Sequence, residues 1–177
     1  MKQLLISLLL ISCWLPQLDA YQKQNNDLYY MKFGIVDPPV GSSGVLPAIG
    51  LGARFQRGEY GYDLSANLGS ILFINYVSLK GMFLFYPQPE KTNQLYFGFG
   101  PGIGHYSSTS PMMHYGNGAR DRGVLTLEAV LGYEFRHSPN FATFVQLELT
   151  QPTFGLGGNS PHFGNKPGVA LSVGVGF

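Results

Sequence analysis

The 177-residue chain is long enough for one domain, and its formal charge of +1 gives no pull toward nucleic acid, which is not expected as a partner. Charged residues make up only 12% of it, about half the usual share in soluble proteins, yet a mean hydropathy of +0.05 is far too low for a bundle of membrane helices. Glycine (24), Phe (13) and Tyr (11) are abundant instead, a mixture suited to membrane strands whose apolar residues recur at every second position.

The longest apolar run comes first. Lys2 precedes Leu4 to Leu15, a stretch too short to span a bilayer that reads as a secretory signal peptide over 1–20. Leu18-Asp19-Ala20 offers a cleavage site that leaves Tyr21 as the mature N-terminus of a barrel domain over 21–177. Leu10-Ile11-Ser12-Cys13 offers a competing lipobox with Cys13 lipidated. Cleavage after Ala20 is favoured because Cys13 comes early and Trp14-Leu15 prolong the apolar segment. With that cleavage the mature chain has no cysteine and no disulfide.

From there, period-two segments alternate with turn residues and predict strands at Leu28–Val36, Pro47–Arg57, Tyr60–Leu68, Phe73–Tyr86, Gln94–Tyr106, Gly123–Arg136, Phe141–Phe154 and Gly168–Phe177. An even number of strands closes an all-β, antiparallel, up-and-down transmembrane barrel and removes the edges that lipid cannot satisfy. Joins after the second, fourth and sixth strands are tight: Arg57–Tyr60, Pro87–Asn93 and His137–Asn140. The others are Asp37–Leu46, the brief Gly69–Leu72, Ser107–Arg122 and Gly155–Pro167. Bacterial barrels keep short turns in the periplasm, so both termini are expected there, in a protein integral to the bacterial outer membrane. If apolar faces point outward, Tyr29, Phe55, Tyr62, Phe85, Phe97, Phe135, Phe141 and Phe177 ring the periplasmic end as an aromatic girdle.

The opposite parity collects Lys32, Arg54, Lys80 and Arg136 with Asp63, Glu128, Glu134 and Glu148. Eight strands leave an interior just wide enough for side chains to fill, so these charges should pair as a plug rather than line an open pore. Phe97-Gly98-Phe99-Gly100-Pro101-Gly102-Ile103-Gly104 lacks the helix and Lys-Ser/Thr ending of a phosphate loop. Its glycines fall inward, making room for long side chains, while Pro101 faces outward and predicts a missing ladder bond or a bulge.

The last nine residues place Val169, Leu171, Val173, Val175 and Phe177 on one face opposite small side chains. This ending resembles the C-terminal signal read by the outer-membrane barrel assembly machinery. With the signal peptide and the Tyr96–Gly104 strand, it makes the chain resemble the small eight-stranded outer-membrane barrels of the OmpX and OmpA-transmembrane type. The resemblance implies a location amid outer-membrane lipid and lipopolysaccharide. Members of that class range from adhesins and structural proteins to small-solute channels.

A structural or surface-interaction role is therefore expected, with a narrow, porin-like channel for small solutes as the alternative. No enzyme and no cofactor is expected. Barrel lipid A deacylases carry His-x-Ser on the penultimate strand, where this chain has Gln146-Leu147-Glu148-Leu149-Thr150. Barrel palmitoyltransferases place Ser, His and Asp in surface loops; here His105, Ser107, Ser108, His114, Asp121, Ser160 and His162 lie in or beside the long joins. His105, His114 and His162 lack carboxylate or cysteine at ligand spacing, so no metal site is expected. The join Ser107–Arg122, with Met112, Met113, His114, Tyr115, Arg120 and Arg122, is the candidate surface for an extracellular ligand: adaptable Met and Tyr beside arginines suited to phosphate.

Overall fold

The computed structural model describes residues 25–39, 45–71, 74–108, 120–138, 141–156 and 166–177. Eight strands run through them: β1 (Asn25–Asp37), β2 (Leu46–Arg57), β3 (Tyr60–Ile71), β4 (Ile74–Phe85), β5 (Asn93–Ser108), β6 (Arg120–Ser138), β7 (Phe141–Leu156) and β8 (Gly168–Gly176). Each pairs antiparallel with its chain neighbours, and β1 pairs with β8 to close the barrel. The seam extends to Phe177, whose N–H and C=O exchange hydrogen bonds of 2.8 and 3.0 Å with Tyr29. Among the described residues every strand has a neighbour on both sides, which is what a sheet surrounded by an apolar medium requires. The signal peptide with its competing cleavage sites, and the central part of the long join before β6, lie outside the described residues.

Period-two alternation sets the faces. In β7, residues Ala142, Phe144, Gln146, Glu148 and Thr150 are buried, while Phe141, Val145, Leu147 and Leu149 are exposed. The outer wall is apolar on every strand, from Leu51 on β2 to Val173 on β8. A bulge in β7 between its pairings with Leu125 and Thr126 lets Pro152 point inward and still turns Phe154 outward. The Thr153 hydroxyl donates to the Leu125 carbonyl there at 2.9 Å.

At one end the connections are tight. Arg57 pairs with Tyr60 across the two residues Gly58 and Glu59, and Gly58 takes φ 62°, the left-handed backbone that such a hairpin needs. Gln94 donates to the carbonyls of Pro89 and Lys91, and Gln56 donates to that of Gly58, so glutamines cap this end. At the other end, Lys166 ties the approach to β8 to Asp37 at the end of β1, at 2.6 Å.

Several strands run further than the sequence suggests. β5 takes in Ser107 and Ser108, and β6 begins at Arg120, which pairs with Ser108. Arg120 and Arg122 are thus strand residues rather than part of a loop; β6 continues because β5 offers it ladder partners up to that point. Pro101 breaks the β4–β5 ladder without a bulge. Pairing lapses at Gly81 and Met82 and resumes at Phe83↔Phe99 in unchanged register, because proline has no N–H to give the ladder.

Candidate functional site

Parity directs eight charged side chains into the barrel, and the register sorts them into two groups. Toward the tight-turn end, Arg54 on β2 donates from Nε to Asp63 and from Nη1 to Glu134, each at 2.9 Å. Arg136 on β6 donates from Nε to the other Glu134 oxygen at 2.7 Å and from Nη2 to Gln56 at 2.8 Å. The Tyr30 hydroxyl donates to the second Asp63 oxygen at 2.7 Å. Rings surround the guanidinium of Arg54: its Cζ lies 4.2 Å from the Tyr96 centroid, 5.1 Å from Phe144 and 5.3 Å from Tyr30. Arginine suits this position because its planar fork serves two carboxylates while its faces lie against aromatic rings.

The second group lies toward the other end. Lys80 on β4 donates to Glu128 and Glu148, each at 2.8 Å, and Lys32 on β1 donates to Glu148 at 2.5 Å. The hydroxyls of Thr126 and Thr150 donate to Glu128 at 2.6 and 2.7 Å. Each group holds two cations and two anions and is formally neutral. Gln146 bridges them, accepting from Arg54 and Tyr96 and donating to Glu148.

Neutrality and saturation make burial tolerable. A lone ion at low dielectric costs several kcal/mol, and each carboxylate here meets a cation together with further donors. Arg54 is 1% exposed and Lys32 3%; Arg136, at the edge of the first group, is only partly buried. Apolar layers lie beyond both groups. Val36, Leu46, Tyr76, Tyr106 and Val124 cap the end away from the tight turns, with Tyr76 and Tyr106 stacked at 5.0 Å. Met82, Leu84, Tyr86, Tyr96 and Val130 pack together nearer the tight turns. Periodicity alone does not single out these apolar layers, because it gives the inward face of each strand and not which inward side chains meet across the barrel.

The large interior rings lie over glycines of the adjoining strand. Tyr96 covers Gly132, Tyr30 covers Gly52 and Phe144 covers Gly174, and a Cβ at any of these glycines would stand 2.2–2.3 Å from the ring. In β5, Gly102 makes space for Glu128, as the sequence suggests. Gly98 and Gly100 differ: a Cβ there would meet the backbone of β4, at the Phe83 and Gly81 carbonyl oxygens. They permit close approach of two strands rather than room for charged side chains.

Outside, Tyr29, Tyr62, Phe97, Phe135, Phe141 and Phe177 are exposed at the tight-turn end, and Phe55 and Phe85 are half-buried. Tyr60, Phe83, Phe99 and Tyr133 join them; Phe83 touches Tyr60, Tyr62 and Phe99 with centroids 5.6–6.3 Å apart. Val169, Leu171 and Val173 are exposed on β8, with Val175 half-buried. His105 and Ser107 share the outer face of β5, and Asp121 stands opposite Ser107 in the β5–β6 register. Met112, Met113, His114 and Tyr115 lie outside the described residues. Among the described residues no three His, Cys, Asp or Glu side chains come together as a metal site.

Closure, strand order and alternating faces define an eight-stranded antiparallel β-barrel of the kind seen in small outer-membrane proteins. No protein-family model matches the chain, and no curated protein matches it in sequence. In structure it is similar to Neisserial surface protein A, with a TM-score of 0.61 at 10% identity over 86% of this chain and 96% of that one. It is also similar to the N-terminal barrel domain of Pseudomonas aeruginosa OprF, with a TM-score of 0.58 at 15% identity over 88% and 100% of the two chains. Ail, the attachment invasion locus protein of Yersinia pestis, solved with the heparin analogue sucrose octasulfate, gives a TM-score of 0.55 at 16% identity over 86% and 97%.

Proposed function

We propose that the chain is an integral outer-membrane protein whose barrel serves as a rigid, sealed scaffold for surface interaction. Both termini and the tight turns lie in the periplasm, and the ends of β1, β5 and β7 face outward. The signal peptide is removed after Ala20, and the face ending in Phe177 is read by the barrel assembly machinery. The observation that carries this reading is the pairing of an apolar outer wall with an interior whose charges are buried and matched. A water-filled pore would leave lumen side chains accessible, and Arg54 at 1% exposure speaks against one. The test is planar-bilayer recording of refolded protein: no steady conductance is expected, and a stable open level overturns the sealed barrel. Recovery of the processed chain as a freely soluble periplasmic species overturns the membrane assignment.

The surface role falls to the segment between β5 and β6, with Met112, Met113, His114 and Tyr115, and to Arg120 and Arg122 at the start of β6. Lipopolysaccharide phosphate is the partner its arginines suit. Deleting 114–119 together with Arg120→Ala should weaken lipopolysaccharide association or cell adhesion, and unchanged values for both refute the role. A second reading, action on an acyl ester of lipid A, is favoured by His105 and Ser107 sharing one face of β5 with Asp121 opposite. Unchanged lipid A mass on expression excludes it.

A further inference from the structure

The interior contains a position that neither charge group uses. Between the Lys80 group and the apolar cap lies a cavity of about 20 Å³, lined by Lys32, Asn67, Lys80, Glu148 and Ser172 and roofed by Val36 and Tyr76. Ser172 on β8 is 7% exposed, and its buried hydroxyl meets no hydrogen-bond partner among the described residues. Leaving such a group unmet in the interior is costly, because burial strips it of water without giving anything in return. Lys32 is also under-used: an ammonium has three donors, and Glu148 accepts from only one of them. Asn67 donates to Ser78, and its carbonyl oxygen sits 2.5 Å from where a Cβ at Gly50 would stand, so the glycine holds that space open.

We propose that this cavity is a binding site for a single water molecule, held by the Lys32 ammonium, the Ser172 hydroxyl and the Asn67 side chain. The volume decides the size of the occupant, since roughly 10–15 Å³ is the least space that holds one water and no larger molecule fits. Chemistry decides its kind. A cation is repelled by Lys32 and Lys80, an anion meets the Glu148 carboxylate, and an apolar atom would leave Ser172 and Lys32 unmet. A neutral molecule that both donates and accepts satisfies all three strands. The water completes the shell of Lys32, the cluster lysine that meets one carboxylate where Lys80 meets two. Val36 and Tyr76 of the apolar cap border it on the side away from the tight turns. The inference rests on the interior alone and holds whatever the barrel does at its surface.

High-resolution diffraction from the refolded whole chain is the direct test. One ordered water between Ser172 Oγ and Lys32 Nζ is expected; featureless density there overturns the proposal. In solution, a rotating-frame Overhauser cross-peak between water and the Ser172 or Gly34 amide should appear in the parent barrel. Ser172→Val removes the hydroxyl and fills the space, and should abolish the peak. Ala48→Val narrows the same cavity from β2 and gives the same expected loss should Ser172→Val fail to fold. A peak absent from the parent, or persisting in a folded variant, overturns the assignment.

Discussion

Gln146 donates its side-chain amide to Glu148 at 2.6 Å, and among the described residues this is the one hydrogen bond that joins the Arg54 group to the Lys80 group. Both residues project inward from β7, two positions apart. The carbonyl oxygen of the same amide accepts from Tyr96 at 2.8 Å and from Arg54 at 3.3 Å. The two neutral groups should therefore be coupled through one amide. A double-mutant cycle between Glu134→Gln and Glu128→Gln, read by urea unfolding in lipid vesicles, should give about 0.5–1 kcal/mol in the parent. In a Gln146→Leu background the coupling should fall to near zero.

Glu134 receives both arginines, so its loss leaves Arg54 with Asp63 alone and takes from the partly buried Arg136 its carboxylate partner among the described residues. Glu134→Ala should destabilise the barrel by about 3–5 kcal/mol, the usual cost of breaking a buried ion pair. Arg57 and Asp27, which pair at the exposed rim, supply the control: Asp27→Ala should cost under about 1 kcal/mol. Thermal unfolding in detergent distinguishes the two. Equal losses would mean that the interior charges are more hydrated than their geometry implies.

The ring-over-glycine pairs make a size-reversal experiment possible. Gly174→Leu should be destabilising by about 1–3 kcal/mol or more, since a Cβ at that position stands 2.2 Å from Phe144. Adding Phe144→Ala should recover much of the loss by vacating the space. Failure of the second change to rescue the first, measured by the folded fraction on cold gel electrophoresis, would place Phe144 elsewhere.

Pro101 leaves the β4–β5 ladder short of a donor opposite Gly81. Pro101→Val supplies an N–H and keeps an apolar outward side chain. It should stabilise the barrel by about 0.5–1.5 kcal/mol, the net worth of one hydrogen bond. The new amide should also be protected from hydrogen exchange; rapid exchange there would show that the strands stay apart.

Much of this architecture is legible in the sequence. Alternation of apolar and polar residues gave each strand and which side chains point inward, as for Lys32, Arg54 and Glu148. It did not give partners. Parity places Tyr96 and Gly132 on the same side, but only the β5–β6 register sets one over the other. The apolar layers at Val36 and Leu84 were similarly hidden, because an inward apolar residue near a strand end resembles ordinary irregularity. The residue pattern suggests room for side chains at Gly98 and Gly100; their closeness to the β4 backbone depends on local strand separation, which a residue pattern does not encode. The sequence pattern starts β6 late because Arg120-Asp121-Arg122 is polar, and the strand form of these residues depends on ladder partners in β5.

The seam between β1 and β8 has a consequence for biogenesis. Met31 pairs with Val175, so β1 has no companion on one flank until β8 has been made. Partial chains therefore carry a raw edge together with a greasy outer surface, the combination most prone to clump. A polypeptide built this way gains little from folding as it is synthesised. Closure of the cylinder waits on the meeting of β1 and β8, the concluding act of its folding.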